Sequence, residues 1–252
     1  MVREVKYYAK VCREMRFREL YWKLRRIAPI PPRGSVNFGD LRSMKPVSKN
    51  WGLDRGRPVD RFYVESFLAR YAQDIREDVL EVGDDRYTRS FGKESVTKSD
   101  VLHYREGNRL ATIVADLTQA DHIPSNRFDC VICVQTLQCI YDLRSAVRTM
   151  HRILKPGGIL FATFPGITSL GNKKWIDSWC WSMTSVSARK LFEEFFSDEN
   201  LVVEHFGNLL VATSFLQGLA ADELQPAELE YRDPAYPLII GVRARKEIQS
   251  DP

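Results

Sequence analysis

The chain has 252 residues, 44% of them hydrophobic and 28% charged, with a net charge of +4; that length holds one large α/β domain, alone or with a small appendage. No apolar run approaches the roughly 20 residues needed to cross a bilayer, and the first residues lack the apolar core of a secretory leader, so a soluble, cytoplasmic protein is expected. Five cysteines give no disulfide framework, which agrees with a reducing compartment.

The charge is unevenly spread. Residues 1–28 hold nine Lys/Arg against Glu4, Glu14 and Glu19, so this arm carries +6 and the remainder −2. Nothing in the main body has the basic, aromatic-laced character of a nucleic-acid groove, and nucleic acid is not the expected partner. Within the arm, Val5, Tyr8, Met15, Leu20, Leu24 and Ile27 recur at helical spacing over residues 3–27. That predicts a helix packed on its own domain, on a partner or membrane surface, or over a cleft. A Pro/Gly-containing connector follows over residues 29–58. The chain thus divides into a basic helix with a connector or lid (1–57), a principal domain (58–246) and a tail (247–252).

Helical spacing resumes at 60–72 through Tyr63, Phe67 and Tyr71, with Asp60 as a candidate cap. Strands are predicted at 78–82, 95–101, 111–115, 128–134 and 159–164, with only short connections between the first three. Residues 128–134 and 159–164 are apolar runs of the kind buried on both faces of a parallel sheet. Between them Leu143, Ala146, Val147, Met150, Ile153 and Leu154 form one helical stripe, which Pro156, Gly157 and Gly158 end. This is a β-α-β unit, whose ligand cleft lies beyond the carboxyl ends of its strands. Cys130 and Cys133, three apart in a strand, face opposite ways and read as core rather than as a metal or redox pair. A helix at 187–196 capped by Thr184 or Ser185, a strand at 201–205, a helical excursion at 207–229 and a strand at 236–244 complete a mixed seven-stranded sheet.

Three strand ends carry acids. The first runs Leu80-Glu81-Val82-Gly83-Asp84-Asp85, the second ends in Ser99-Asp100 and the third in Ala115-Asp116-Leu117. Glycine after the first strand lets a ligand approach the backbone, and an acid ending the second takes two ribose hydroxyls. An acid after the third accepts from an exocyclic amine, with the next N–H facing a ring nitrogen. The ordered set describes an adenosine site.

This order of elements, with Phe128, Asp129, Leu137, Asp142, Arg152 and Leu154 to Gly158 along the β-α-β unit, resembles the class I S-adenosylmethionine-dependent methyltransferases, in their small-molecule, methyltransferase-11-like branch. The resemblance covers roughly residues 58–244. It implies an α/β fold, a Rossmann-like doubly wound seven-stranded mixed sheet with helices on both faces and an N-terminal helical arm. The cofactor it implies is S-adenosyl-L-methionine. Glu81 would approach the methionine amine, Gly83 and Asp84 would form the close turn, Asp100 would hold ribose, Asp116 and Leu117 would read adenine, and Val134 would border the site. Arg61 or Tyr63 would lie near the methionine carboxylate. One departure stands out: of the family's three alternating loop glycines only Gly83 is present, with Asp85 and Tyr87 at the other two positions.

Methyl transfer is an in-line displacement that needs alignment, exclusion of water and sometimes a base. Gln135, Tyr141 and His205 are the candidate catalytic groups; many relatives carry histidine where this chain has Cys139. Gln138, Trp175, Trp179, Trp181 and Thr184 are the candidate acceptor contacts. No cluster of metal-ligand type is evident, so no metal is expected. The expected activity moves a methyl group to O, N or C of a small metabolite, such as a natural product, aromatic or saccharide of secondary metabolism, in a monomer or homodimer. The alternatives are a nucleic-acid or protein methyltransferase that uses the basic arm, and a non-catalytic binding protein of the same fold.

Overall fold

The computed structural model describes residues 31–171 and 173–248; the expected helix at 3–27 and most of the tail lie outside them. The chain forms two compact units, residues 1–44 and 45–252. In the first, the described residues contain a short helical turn, Gly39–Leu41, beside which Arg42 lies over the Phe38 ring. The second unit contains everything below, and its start takes in the last part of the connector that the sequence reading had placed with the arm.

Seven strands form one sheet: β1 Glu77–Val82, β2 Val96–His103, β3 Ile113–Val114, β4 Phe128–Val134, β5 Leu154–Pro165, β6 Leu201–Phe206 and β7 Ile239–Arg245. Their order is β3-β2-β1-β4-β5-β7-β6, parallel except for β7, which runs antiparallel to both neighbours. The helices are α1 Val59–Arg70, α2 Leu143–Ile153, α3 Lys173–Ile176, α4 Ser185–Phe192, α5 Leu209–Gln217 and α6 Pro226–Glu230. This is the Rossmann-like doubly wound sheet expected from the sequence.

Strand alternation sorts the apolar residues into two layers. On one face Leu80, Val131, Cys133, Leu160 and Ala162 pack under α2 and α4; on the other Val79, Cys130, Ile132 and Phe161 pack under α1 and α5. The two β4 cysteines therefore belong to different layers. Phe67 of α1 anchors the second layer, fully buried with its ring edge-on to Tyr71, Phe161 and Phe206.

Several boundaries move from their sequence-based places. β2 continues three residues past Asp100, so that acid does not end the strand; Asp100 pairs level with Leu80, in the middle of β1. The predicted turn at Pro156-Gly157-Gly158 is instead drawn into β5, where Gly157 bonds to the carbonyl of Lys246 beyond β7. Asp60 does not cap α1: the helix starts at Val59 after Pro58, whose fixed geometry suits a helix entry. Between β1 and β2 the backbone makes one wide helical turn, Thr88–Gly92, and one tight turn, Lys93–Ser95.

The segment 45–58 straps this unit. Ser48 N–H donates to the Gln217 carbonyl, Arg55 pairs with Glu223, and Pro58 bridges to Ala220. At its turn the Trp51 ring packs against Gly171, and its indole Nε1–H donates to the Ser169 carbonyl at 3.3 Å. A methyl group on Gly171 would meet the Trp51 ring at 1.9 Å and would sit at a φ of +69°.

Two outcomes follow from this packing. Phe67→Ala is expected to lower unfolding stability by about 3–5 kcal/mol, read by urea titration. Gly171→Ala is expected to displace Trp51 from its seat, which acrylamide quenching of tryptophan emission detects against Trp51→Phe as control; unchanged quenching would mean the strap does not rest there.

Candidate active site

β1 ends in a carboxylate turned inward. Glu81 is 2% exposed and accepts from Tyr87 N–H at 3.1 Å, from Thr88 N–H at 2.7 Å and from the Thr88 hydroxyl at 2.7 Å. Burial pushes this carboxyl up to about 7, against three hydrogen bonds that favour its charged form. By drawing residues 87 and 88 under the strand end, Glu81 closes the loop that replaces the glycine-rich turn. Asp84 pairs with Arg86 and Asp85 with Arg89, so the loop's two acids are held by its own arginines. Tyr87 occupies the third glycine position, buried beside Phe91 in a stacked pair, and its hydroxyl accepts from the Arg61 guanidinium.

Gly83 keeps the room that a ligand requires. Its φ is +102°, its carbonyl accepts from the Asn108 amide at 2.7 Å, and no atom lies within 4 Å of where a Cβ would stand. Asp116 follows β3 as expected: one carboxylate oxygen closes a turn on Thr118, while Leu117 beside it is buried in the core. Asp100 is differently engaged. Its carboxylate takes the Thr112 hydroxyl at 2.7 Å and the Arg127 guanidinium at 2.8 Å, and lies 3.5 Å from Lys98 Nζ. Although burial opposes it, the hydroxyl and these cations hold the group below the usual carboxylate range. The register Val82↔Leu102 leaves His103, the last residue of β2, level with Gly83. Gly83 and the exposed Asp116 thus stay accessible, while the β2 acid is committed to an internal ion pair.

Beyond β4 the chain turns through Gln135 in a left-handed conformation, φ +46°, which a non-glycine residue adopts only under constraint. The constraint is Thr163 of β5, whose hydroxyl and carbonyl both accept from Gln135 N–H, at 3.1 and 3.2 Å. Gln138, 2% exposed, donates from Nε2 to the Gln135 carbonyl at 2.8 Å. Its own carbonyl accepts from the N–H groups of Cys180 and Trp181, which ties the tryptophan-rich loop to the end of β4.

These ends open on a cleft that includes Trp51, Asp60, Arg61, Gln135, Gln138 and Trp179 in its lining. Trp175, edge-on to Trp179 at 6.4 Å, borders it too. The expected acceptor contacts Gln138, Trp175 and Trp179 are thereby brought together, with Arg61 beside them. Others are not. Trp181 donates to the Ile140 carbonyl at 3.0 Å and stacks on Tyr141, and the Thr184 hydroxyl caps α4; neither lines the cleft. Tyr63 is a core residue whose hydroxyl donates to the Leu229 carbonyl, its pKa pushed up to about 12 by burial.

Of the three catalytic candidates only Gln135 reaches the lining. Tyr141 is 79% exposed, and His205 sits on edge strand β6 facing away from the α1 side on which its neighbours Glu204 and Phe206 pack. Asp60 and Trp51 supply what was missed. Asp60 looked like a cap, and only its place next to Arg61 in the first helical turn hinted at a shared cleft. Val134, the final residue of β4, is partly buried against the apolar layer beneath α1.

Residues 65–162 match the model of a methyltransferase domain. Arginine-hydroxylase NDUFAF5, mitochondrial, of Rattus norvegicus is 30% identical over 161 residues, covering 55% of this chain and 47% of that protein. Its Mus musculus counterpart matches to the same extent. The chain therefore spans about half the length of these curated relatives. Among solved structures, a SAM-dependent methyltransferase from Archaeoglobus fulgidus aligns with TM-score 0.50 at 16% identity, over 74% of this chain and 94% of that one. The [4+2]-cyclase SpnF aligns with TM-score 0.51 at 16% identity, over 77% and 84%. Both likenesses concern the fold. Sequence match and strand order point the same way: residues 65–162 match a methyltransferase domain, and the chain has the fold of a SAM-dependent methyltransferase.

Proposed function

We propose that this protein transfers the methyl group of S-adenosylmethionine to O, N or C of a small-molecule acceptor held in the cleft beyond β4, β5 and β7. The observation that carries this reading is the cleft itself. It is lined by aromatic rings beside a few convergent polar groups, as small-molecule sites are, and it adjoins the strand ends where the cofactor of a methyltransferase domain lies. When bound, the cofactor supplies an activated methyl carbon on sulfur; the residues of this chain orient, shield and handle the proton.

In this reading Gly83 admits the cofactor against the backbone, and Asp116 and the Leu117 N–H select adenine. Arg61, steadied by the Tyr87 hydroxyl, takes the methionine carboxylate as a charge-assisted bond, and Glu81 faces the methionine amine. Ribose falls to the end of β2, where His103 is level with Gly83; Asp100 acts there through Arg127 and Thr112. Gln135 and Gln138 fix the acceptor's approach, and Trp51, Trp175 and Trp179 keep water out and favour positive charge. The ionisable group on the acceptor side is the Asp60 carboxyl, which is placed to receive a proton.

A second reading, hydroxylation of an arginine side chain, is favoured by the curated relatives, which bear that activity in their name. The [4+2]-cyclase SpnF shares the fold as well, so the fold alone does not select the reaction. Mass analysis of the product separates the two, since one adds a methylene and the other an oxygen.

The expected outcome in calorimetry is one molecule of S-adenosylhomocysteine bound per chain; a folded sample that does not bind it removes the methyl-transfer reading. The pH dependence has a definite sign. Glu81 titrates near 7, and a ligand ammonium prefers its charged form. Affinity is therefore expected to fall as pH drops below 7, by up to about tenfold per unit, and to become independent of pH in Glu81→Gln. A wild-type affinity constant from pH 8 to 6 would show that Glu81 does not face the amine.

A further inference from the structure

Two thiols come together beside the cleft. Cys139, partly buried at the end of the short turn Leu137–Cys139, and Cys180, exposed in the tryptophan-rich loop, are both free. The segments that carry them run side by side. Cys180 N–H donates to the Gln138 carbonyl at 2.8 Å and Trp181 N–H to the same oxygen at 3.1 Å, while Trp181 Nε1–H donates to the Ile140 carbonyl at 3.0 Å. Cys139 is thus flanked on both sides, at residues 138 and 140, by ties to the stretch that holds Cys180. The Gln138 carbonyl belongs to the peptide that leads into Cys139, so this hydrogen bond and standard peptide dimensions keep the two Cα atoms within about 7 Å. Disulfides join Cα atoms about 4.4–6.8 Å apart.

The side chains converge as well. Ser178 serves both thiols: its side chain is hydrogen-bonded to Cys139, and its carbonyl lies 3.6 Å from Cys180 Sγ. Burial pushes the Cys139 thiol up, a shift that the Ser178 bond opposes and the neighbouring Cys180 sulfur adds to. The exposed thiol is therefore the one that an oxidant in solution reaches, and the partly buried one follows it. The other two described cysteines, Cys130 and Cys133, are buried in opposite layers of the sheet.

We propose that Cys139 and Cys180 form a reversible oxidation site, closed by exchange with a low-molecular-weight disulfide. Cys180, as thiolate, attacks one sulfur of that disulfide; its S–S bond breaks, a mixed disulfide forms and the first small thiolate leaves. Cys139, its proton given to water, then attacks the Cys180 sulfur, and the second small thiolate leaves with the electron pair of the broken bond. The protein loses two hydrogens, and the small disulfide is reduced to two thiols. The second step is intramolecular, which favours the bridge over the mixed disulfide. Gln138 and Trp179, the immediate neighbours of the two cysteines, both line the cleft, so oxidation joins one of its walls covalently to another. What this does to an acceptor rests on the reading of the cleft as the acceptor side; the bridge itself does not.

The test treats the full, reduced chain with oxidised glutathione at mildly alkaline pH. Peptide mapping without reductant is expected to recover one linked pair of fragments, holding Cys139 and Cys180, which dithiothreitol separates. Glutathione on Cys180 is expected to stay below about a tenth of the wild-type chains and to become the main product in Cys139→Ser. In Cys180→Ser, uptake of glutathione at Cys139 is expected to be at least about tenfold slower than at Cys180 in Cys139→Ser. Hydrogen exchange of the amides from Trp175 to Trp181 is expected to slow about tenfold in the bridged form and to recover on reduction. A wild-type chain that stops at the mixed disulfide, or that links either cysteine elsewhere, overturns the proposal; a bridge that leaves exchange unchanged overturns its hold on the loop. Calorimetry with S-adenosylhomocysteine stays a separate measurement: absent binding removes the methyl-transfer reading and leaves the bridge, and an absent bridge leaves that reading.

Discussion

The site depends on one buried carboxylate. Glu81 ends β1 and gathers the N–H groups of Tyr87 and Thr88, a short loop closure in place of the glycine-rich turn expected at this point of the fold. A buried acid with three donors has a fixed orientation, and so do the residues that supply them. Tyr87 is thereby driven into the layer beneath α1, where its hydroxyl meets Arg61. The geometry of the first strand end thus reaches the first turn of α1, and with it Asp60 at the edge of the cleft.

The remaining constraints act on the other side of that cleft. Thr163 holds Gln135 in its left-handed conformation, Gln135 in turn receives the Gln138 amide, and Gln138 ties in the backbone of Cys180 and Trp181. Each link is a backbone group bonded by a buried partner, so the order passes along the chain without long side chains exposed to water. The strap closes the arrangement from outside: Trp51 rests on Gly171, where a side chain as small as alanine has no room.

How far this was legible depended on which interactions fix each segment. β4 was read to the residue because it is buried on both faces, and a continuous apolar run announces that. β2 was read short because its first half is exposed, and its end is set by pairing with β1 rather than by its own pattern. The same slip put Asp100 at a strand end, when Arg127 and Thr112, distant in sequence, claim its carboxylate. Trp181 and Thr184 looked like site residues because aromatic and hydroxyl groups serve both purposes; the first is engaged by the Ile140 carbonyl, 41 residues away in sequence, and the second by a helix N-terminus. Asp60 had the reverse fate, since acids before helices usually cap them.

The central claim is that S-adenosylmethionine lies over Gly83 and the end of β4, against a loop shaped by Glu81. Hydrogen exchange with and without saturating S-adenosylhomocysteine tests it most directly. The account predicts slowed exchange of the amides from Gly83 to Thr88 and from Gln135 to Gln138, with α4 unaffected. Bound ligand with exchange unchanged in both segments would contradict it.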